Sequence, residues 1–160
     1  MKEKADFKKF SRDLPSGLFL ITLGRFISNV AYRLVFPFLP TISRGLGVTT
    51  GTLGTALAMR DLVEMSSPLL GKVIDKRGTN QAMVVGALGL GMAAALQGAS
   101  SGLILFVFAL VLTAISKNSF DIGSSAWAGA SVPYAHRSRA IGMIETTWAL
   151  SFVIGMPIAS

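Results

Sequence analysis

The chain has 160 residues, of which 51% are hydrophobic and only 14% charged, with a net charge of +7 and a mean hydropathy of +0.59. A soluble domain averages about 25% charged residues, and a fold of this size cannot hide so much apolar surface. Disorder needs low hydrophobicity and high charge, so the same numbers exclude it and leave an integral membrane protein, which the long apolar runs below make an all-α, polytopic bundle.

Residues 1–13 are too polar to enter a bilayer. Phe7, Phe10 and Leu14 recur at helical spacing among Lys8, Lys9 and Arg12, a pattern for a short helix lying on an anionic membrane surface. Residues 14–160 hold five predicted spans, each needing about 20 mostly apolar residues. The first covers about 17–39 and stops at Pro37 and Pro40. A polar turn follows over 41–50, with Gly45 and Gly47 as breakers. The second covers about 51–71, and a polar stretch occupies 72–80. From Thr79 to Ser116 no charged residue occurs. One helix over that stretch would be about 57 Å long, nearly twice the hydrocarbon thickness. The chain must therefore fold back at 97–102, giving a third span over about 81–96 and a fourth over about 103–128. A loop at 129–139 contains Pro133, and the fifth span covers about 140–158.

The basic residues set the orientation. With the N-terminus in the cytoplasm, the inner segments hold Lys2, Lys4, Lys8, Lys9, Arg12, Lys72, Lys76, Arg77, Arg137 and Arg139, and the outer ones only Arg44. This positive-inside bias explains the basic balance without nucleic acid as a partner. The expected location is the cell (inner) membrane, multi-pass, with the lipid bilayer as the surrounding partner.

Eight ionisable residues fall inside spans: Arg25, Arg33, Arg60, Asp61, Glu64, Lys117, Asp121 and Glu145. Each unpaired charge would cost about 2.5–3.5 kcal/mol at a helix centre. They must face one another or a hydrated cavity, and those near span ends can also snorkel. Arg25, Asn29 and Arg33 recur at i, i+4 and i+8, one stripe of one helix. Arg60 with Glu64, and Lys117 with Asp121, are i,i+4 pairs. Such pairs either ease insertion by mutual neutralisation or line a functional cavity. The third span has only Gly86, Gly89, Gly91 and several alanines, as in a helix that packs closely or faces lipid. Gly89-x-Gly91-x-x-Ala94 has the letters of a dinucleotide fingerprint, but no strand precedes it and no acid follows at the right distance.

The absence of cysteine and a single histidine, His136, exclude thiolate or His-Glu-x-x-His metal sites and thiol catalysis. No cofactor, metal or catalytic residue is expected, and the chain does not read as an enzyme.

The stretch Gly71-Lys72-Val73-Ile74-Asp75-Lys76-Arg77-Gly78 resembles the signature loop of the major facilitator superfamily (MFS), Gly-x-x-x-Asp-(Arg/Lys)-x-Gly. Gly71, Asp75, Lys76 and Gly78 match; Thr79 and Asn80 stand where further basic residues are usual. Tyr32-Arg33-Leu34-Val35-Phe36-Pro37-Phe38-Leu39-Pro40 resembles the first-helix end of bacterial members. Val132-Pro133-Tyr134, with Arg137-Ser138-Arg139-Ala140-Ile141-Gly142, resembles their loop between the fourth and fifth helices.

The resemblance implies part of the N-terminal half of a secondary active transporter. Such a protein moves a small organic solute by alternating access between two six-helix halves, and here proton-coupled efflux by an antiporter is the implied mode. The partners it implies are a C-terminal half that this chain lacks, a small-molecule substrate and protons. Arg25, Asn29, Arg60, Asp61, Glu64, Lys117, Asp121 and Glu145 would serve the substrate and proton pathway. Tyr32 and Trp148 would offer apolar walls, or simply pack. The signature residues would latch the halves on the cytoplasmic side. Drug antiporters of the family often carry a fourth-helix Arg followed four residues later by Gly, whereas here Lys117 is followed by Gly123. In place of a fifth-helix Gly-x-x-x-Gly-Pro stand Ser151, Gly155 and, after Met156, Pro157. The alternative left open is a non-transporting membrane module with a regulatory or assembly role.

Overall fold

The computed structural model describes residues 16–65, 67–155 and 157, so the expected interfacial segment over 1–13 lies outside the described residues. Among the described residues every regular element is helical, as expected for the MFS bundle. In chain order they are α1 (Ser16–Arg33), α2 (Leu39–Gly45), α3 (Thr50–Glu64), α4 (Ser67–Arg77), α5 (Thr79–Ala99), α6 (Leu103–Ser131) and α7 (Arg137–Leu150). A 3₁₀ turn, Tyr134–His136, precedes α7, and a π-helical turn, Ser151–Gly155, continues it.

The prolines break the expected spans earlier than a hydropathy window does. The first span ends at Arg33 rather than running to 39. Pro40 sits in the first turn of the separate helix α2, where its missing N–H is not needed. The predicted turn at 41–50 is thus half helix, and the actual reversal is at Gly47, whose φ of +66° suits a residue without Cβ. The Thr49 hydroxyl then caps α3 by accepting the Thr52 N–H at 3.1 Å. The second span is two helices. Pro68 cannot continue α3 and begins α4 instead. The freed Glu64 carbonyl accepts the Ser67 hydroxyl and the Asn118 side-chain amide. The segment expected as a loop over 72–80 is helical through Arg77, and the turn into α5 is Gly78 alone, at φ +92°.

Helices α5 and α6 are long and apolar enough to cross a membrane, and they make the most extensive contact in the bundle. Glycine permits it. A Cβ on Gly86 would lie 2.7 Å from both the Phe120 nitrogen and the Ser116 carbonyl oxygen, and one on Gly89 would lie 2.2 Å from Ser116 Oγ. The opposite face of α5 exposes Val84, Val85, Leu88 and Met92, so this helix both packs closely and presents apolar surface. Gly86→Ala therefore forces backbone apart and is expected to cost about 1–3 kcal/mol. Gly91→Ala, with open space around it, should leave the unfolding midpoint in mixed detergent micelles unchanged.

Two apolar clusters sit at opposite ends of the bundle. Leu18, Ile21, Ala128, Val132, Ala140 and Ile144 join α1, α6 and α7. Val35, Leu53, Ala56, Leu57, Phe106 and Leu110 join the chain after α1 to α3 and α6. Along α6 the stretch between these clusters carries Thr113, Ser116, Lys117, Asp121 and Ser124, which mark a polar layer at mid-height.

Candidate functional site: a charged layer between two apolar clusters

Arg25 is 7% exposed and ties three helices together. Its Nη2 donates to Glu145 Oε1 at 2.9 Å on α7. Its Nη1 donates to the Asp121 carbonyl at 3.0 Å and to the Ser124 hydroxyl at 3.1 Å on α6. Nε approaches Asp121 Oδ1 at 3.4 Å, an ion pair whose alignment leaves both atoms without a hydrogen bond. The other carboxylate oxygen of Asp121 accepts Lys117 Nζ at 2.5 Å. Two cations and two anions thus cancel, which is what makes them tolerable away from water.

A second group lies around Arg60, the largest fully buried side chain, at 1% exposure. Its Nε and Nη2 donate to Asp61 Oδ1 at 3.1 and 2.9 Å, and its Nη1 to the Tyr32 carbonyl at 3.3 Å. The expected i,i+4 partner, Glu64, is not the residue it bonds. The carboxylate of Glu64 lies beside Tyr32, whose hydroxyl donates to Asp61 at 3.0 Å. The Tyr32 ring stacks under the Arg60 guanidinium at 3.7 Å and faces Lys117 Nζ at 5.3 Å. Tyr32, read from the sequence as an apolar wall or a packing residue, is the side chain that joins the two charged groups.

The stripe of α1 is real: Arg25, Asn29 and Arg33 are all buried. It faces α7 and the π turn. Asn29 donates its amide to the Thr147 hydroxyl at 3.2 Å, and the Arg33 guanidinium lies over the rings of Trp148 and Phe152. Arg33 was outside the expected pathway; its place as third member of the stripe was the available signal. Ser124 carried no signal beyond its position one turn from Asp121.

The signature residues lie apart from this layer. Gly71 is inside α4, Asp75 and Lys76 are exposed, and among the described residues neither forms an ion pair. Gly98-Ala99-Ser100-Ser101-Gly102 has the letters of a nucleophile elbow, yet it follows a helix, and Ser100 donates its hydroxyl to the Gln97 carbonyl at 2.6 Å. Among the described residues no group of three or more His, Asp or Glu side chains is placed to hold a metal ion.

The family model described as the Major Facilitator Superfamily matches residues 21–160. The chain is 21% identical over 141 residues to the MFS-type transporter YwfA of Bacillus subtilis, covering 88% of this chain and 34% of that protein. It is 24% identical to Multidrug resistance protein 2 of the same species and 26% identical to Multidrug resistance protein MdtG of Escherichia coli, each match covering 86% of this chain and 35% of the relative. The chain thus spans about a third of the length of the relatives it matches. No solved structure matches it. With the family model covering nearly all of the described helices, the chain belongs to the major facilitator superfamily, a family of membrane transporters.

Proposed function

We propose that this chain forms the N-terminal part of a secondary active transporter that exports a small organic solute in exchange for protons by alternating access. In this reading all spans cross the cell membrane and the N-terminus is cytoplasmic. The observation that carries it is the buried charged layer: Arg25 reaches carboxylates on two other helices, and apolar clusters bound the layer at both ends. A merely structural salt bridge needs one partner. A buried cation shared between a partly buried acid and a more exposed one has two states to choose between when a proton arrives. Asp121 and Glu64 are the proton sites of this reading, Glu145 shares Arg25 with Asp121, and Arg60 and Lys117 hold their charge. The exposed pair Asp75 and Lys76 would latch against the second half. Efflux as the direction rests on two relatives, which are multidrug resistance proteins.

The test is proton flux driven by a dye substrate, ethidium, in vesicles containing a protein of the relatives' length. A charge-balanced variant, Lys117→Met with Asp121→Asn, combined with Glu64→Gln, is expected to abolish the flux. Unchanged flux would remove both acids as carriers, and a protein that moves neither dye nor protons would favour a non-transporting module.

Orientation is checked separately, because the chain has no cysteine of its own. Lys76→Cys should react with a membrane-impermeant maleimide only in inside-out vesicles, and Arg44→Cys only in right-side-out cells.

A further inference from the structure

We propose that the crevice between α4 and α5 binds one anionic phospholipid, with its phosphate at Arg77 and an acyl chain running inward below it. The two helices are joined at Gly78, and each packs on α6. The space left between them has α4 as one wall, α5 as the other and α6, at Ser119, as its floor. It holds about 160 Å³. One turn of a helix about 10 Å across occupies roughly 400 Å³, so the crevice takes a thin chain and not another helix.

The lining changes character with depth, as a phospholipid does. The rim holds Arg77, the last residue of α4, and Gln81, in the first turn of α5. Below it come Leu70 and Val73 on one wall and Val85 on the other. From Arg77 to Leu70 the wall of α4 runs about 10 Å along the helix axis. The Ser119 hydroxyl already donates to the Ile115 carbonyl at 2.9 Å, so the floor offers no open donor and the lower crevice suits a hydrocarbon chain. Val73 and Val85 are 47% and 66% exposed, so the mouth opens onto the apolar flank of the bundle.

The headgroup follows from charge. Arg77 is exposed and makes no ion pair or hydrogen bond among the described residues. Leu70, Val73 and Arg77 recur at i, i+3 and i+7, one face of α4, and the signature acid Asp75 lies on the opposite side of that helix. The other ionisable residues flanking this turn and the α6–α7 connection are Lys72, Lys76, Arg137 and Arg139, all basic. A phosphodiester matches the fork of a guanidinium, and basic pockets between membrane helices suit anionic headgroups. A zwitterionic headgroup would set its own cation against this end of the bundle.

This inference goes beyond the transport reading, since a lipid can seat here whether or not the chain moves a solute. The test is native mass spectrometry of the full chain, released from neutral detergent micelles that contain equal amounts of phosphatidylglycerol and phosphatidylcholine with matched acyl chains. The expected result is one retained lipid, with phosphatidylglycerol favoured at least fivefold. Arg77→Gln should bring the two lipids to equal retention. Lys76→Gln removes the same charge from a neighbour outside the crevice and should leave the preference within twofold. Val73→Trp with Val85→Trp, one from each wall, should lower retention several-fold with the charge unchanged, and excess inorganic phosphate should not displace the lipid. Equal retention by the unaltered chain would overturn the proposal, and that ratio needs no variant to fold. Equal effects of Arg77→Gln and Lys76→Gln would overturn it as diffuse surface attraction. Indifference to the two tryptophans, or displacement by phosphate alone, would overturn it by showing that no acyl chain lies in the crevice.

Discussion

Asp121→Asn is expected to destabilise the bundle by about 3–5 kcal/mol, the cost of removing one member of a buried ionic group. Asp121 is the anion for two cations at once. Lys117 reaches one carboxylate oxygen and Arg25 approaches the other. The side chains of both cations are largely withdrawn from solvent, so loss of the charge leaves Lys117 without its acid and Arg25 with Glu145 alone. That acid is the weaker support, because its side chain is 56% exposed and its charge is screened. Glu145→Gln should therefore cost about 1 kcal/mol or less, the range of an exposed pair. Unfolding by sodium dodecyl sulphate in mixed micelles measures both. A rescue separates charge from shape: Lys117→Met in the Asp121→Asn background removes one of the stranded cations and should recover much of the loss. Equal costs for the two acids, or no rescue, would mean that the layer is hydrated and its charges are not held by one another.

The limits of reading this site from sequence follow from what periodicity encodes. The spacing of Arg25, Asn29 and Arg33 puts them on one face, and the structure buries that face. The spacing of Lys117 and Asp121 puts them in contact, and they pair. Both are facts internal to one helix. The bonds from Arg25 to Glu145 and Asp121 cross helices about a hundred residues apart in sequence, and no local pattern states which helix faces which. Arg60 shows the other limit. Residues at i and i+1 do not share a face, so Glu64 was its expected partner. A long guanidinium can instead fold back along its own backbone to reach Asp61, and a flat ring below it, Tyr32, holds it there. Fold class, chain reversals and the close packing of Gly86 and Gly89 were legible because each follows from composition or from a residue without a side chain. The break between α3 and α4 was hidden, since Pro68 lies inside a window apolar enough to average over it. The π turn left no mark at all: nothing in Ser151–Gly155 demands hydrogen bonds between residues five apart.

The second large effect concerns that displaced partner. Arg60 is buried and Asp61 exposes 56% of its side chain, so the two residues are not equivalent in loss. Arg60→Met leaves a solvated acid and should be mild. Asp61→Ala leaves a buried guanidinium whose remaining bond is to the Tyr32 carbonyl. Glu64 lies one helical turn on, beside the same tyrosine, at the spacing that lets an acid reach back to Arg60. It is thus a reserve anion, and Asp61→Ala alone should be cushioned by a swing of the guanidinium towards it. Removing both acids strands the cation. The double variant Asp61→Ala, Glu64→Gln is therefore expected to lose about 3–5 kcal/mol, exceeding the sum of the two single losses by about 0.5–3 kcal/mol, the span of coupling between residues that share a partner. The same detergent unfolding measurement closes the cycle. Additive losses would show that Glu64 never takes over from Asp61, and a double variant no less stable than Asp61→Ala would show that Tyr32 alone is enough to hold Arg60 in place.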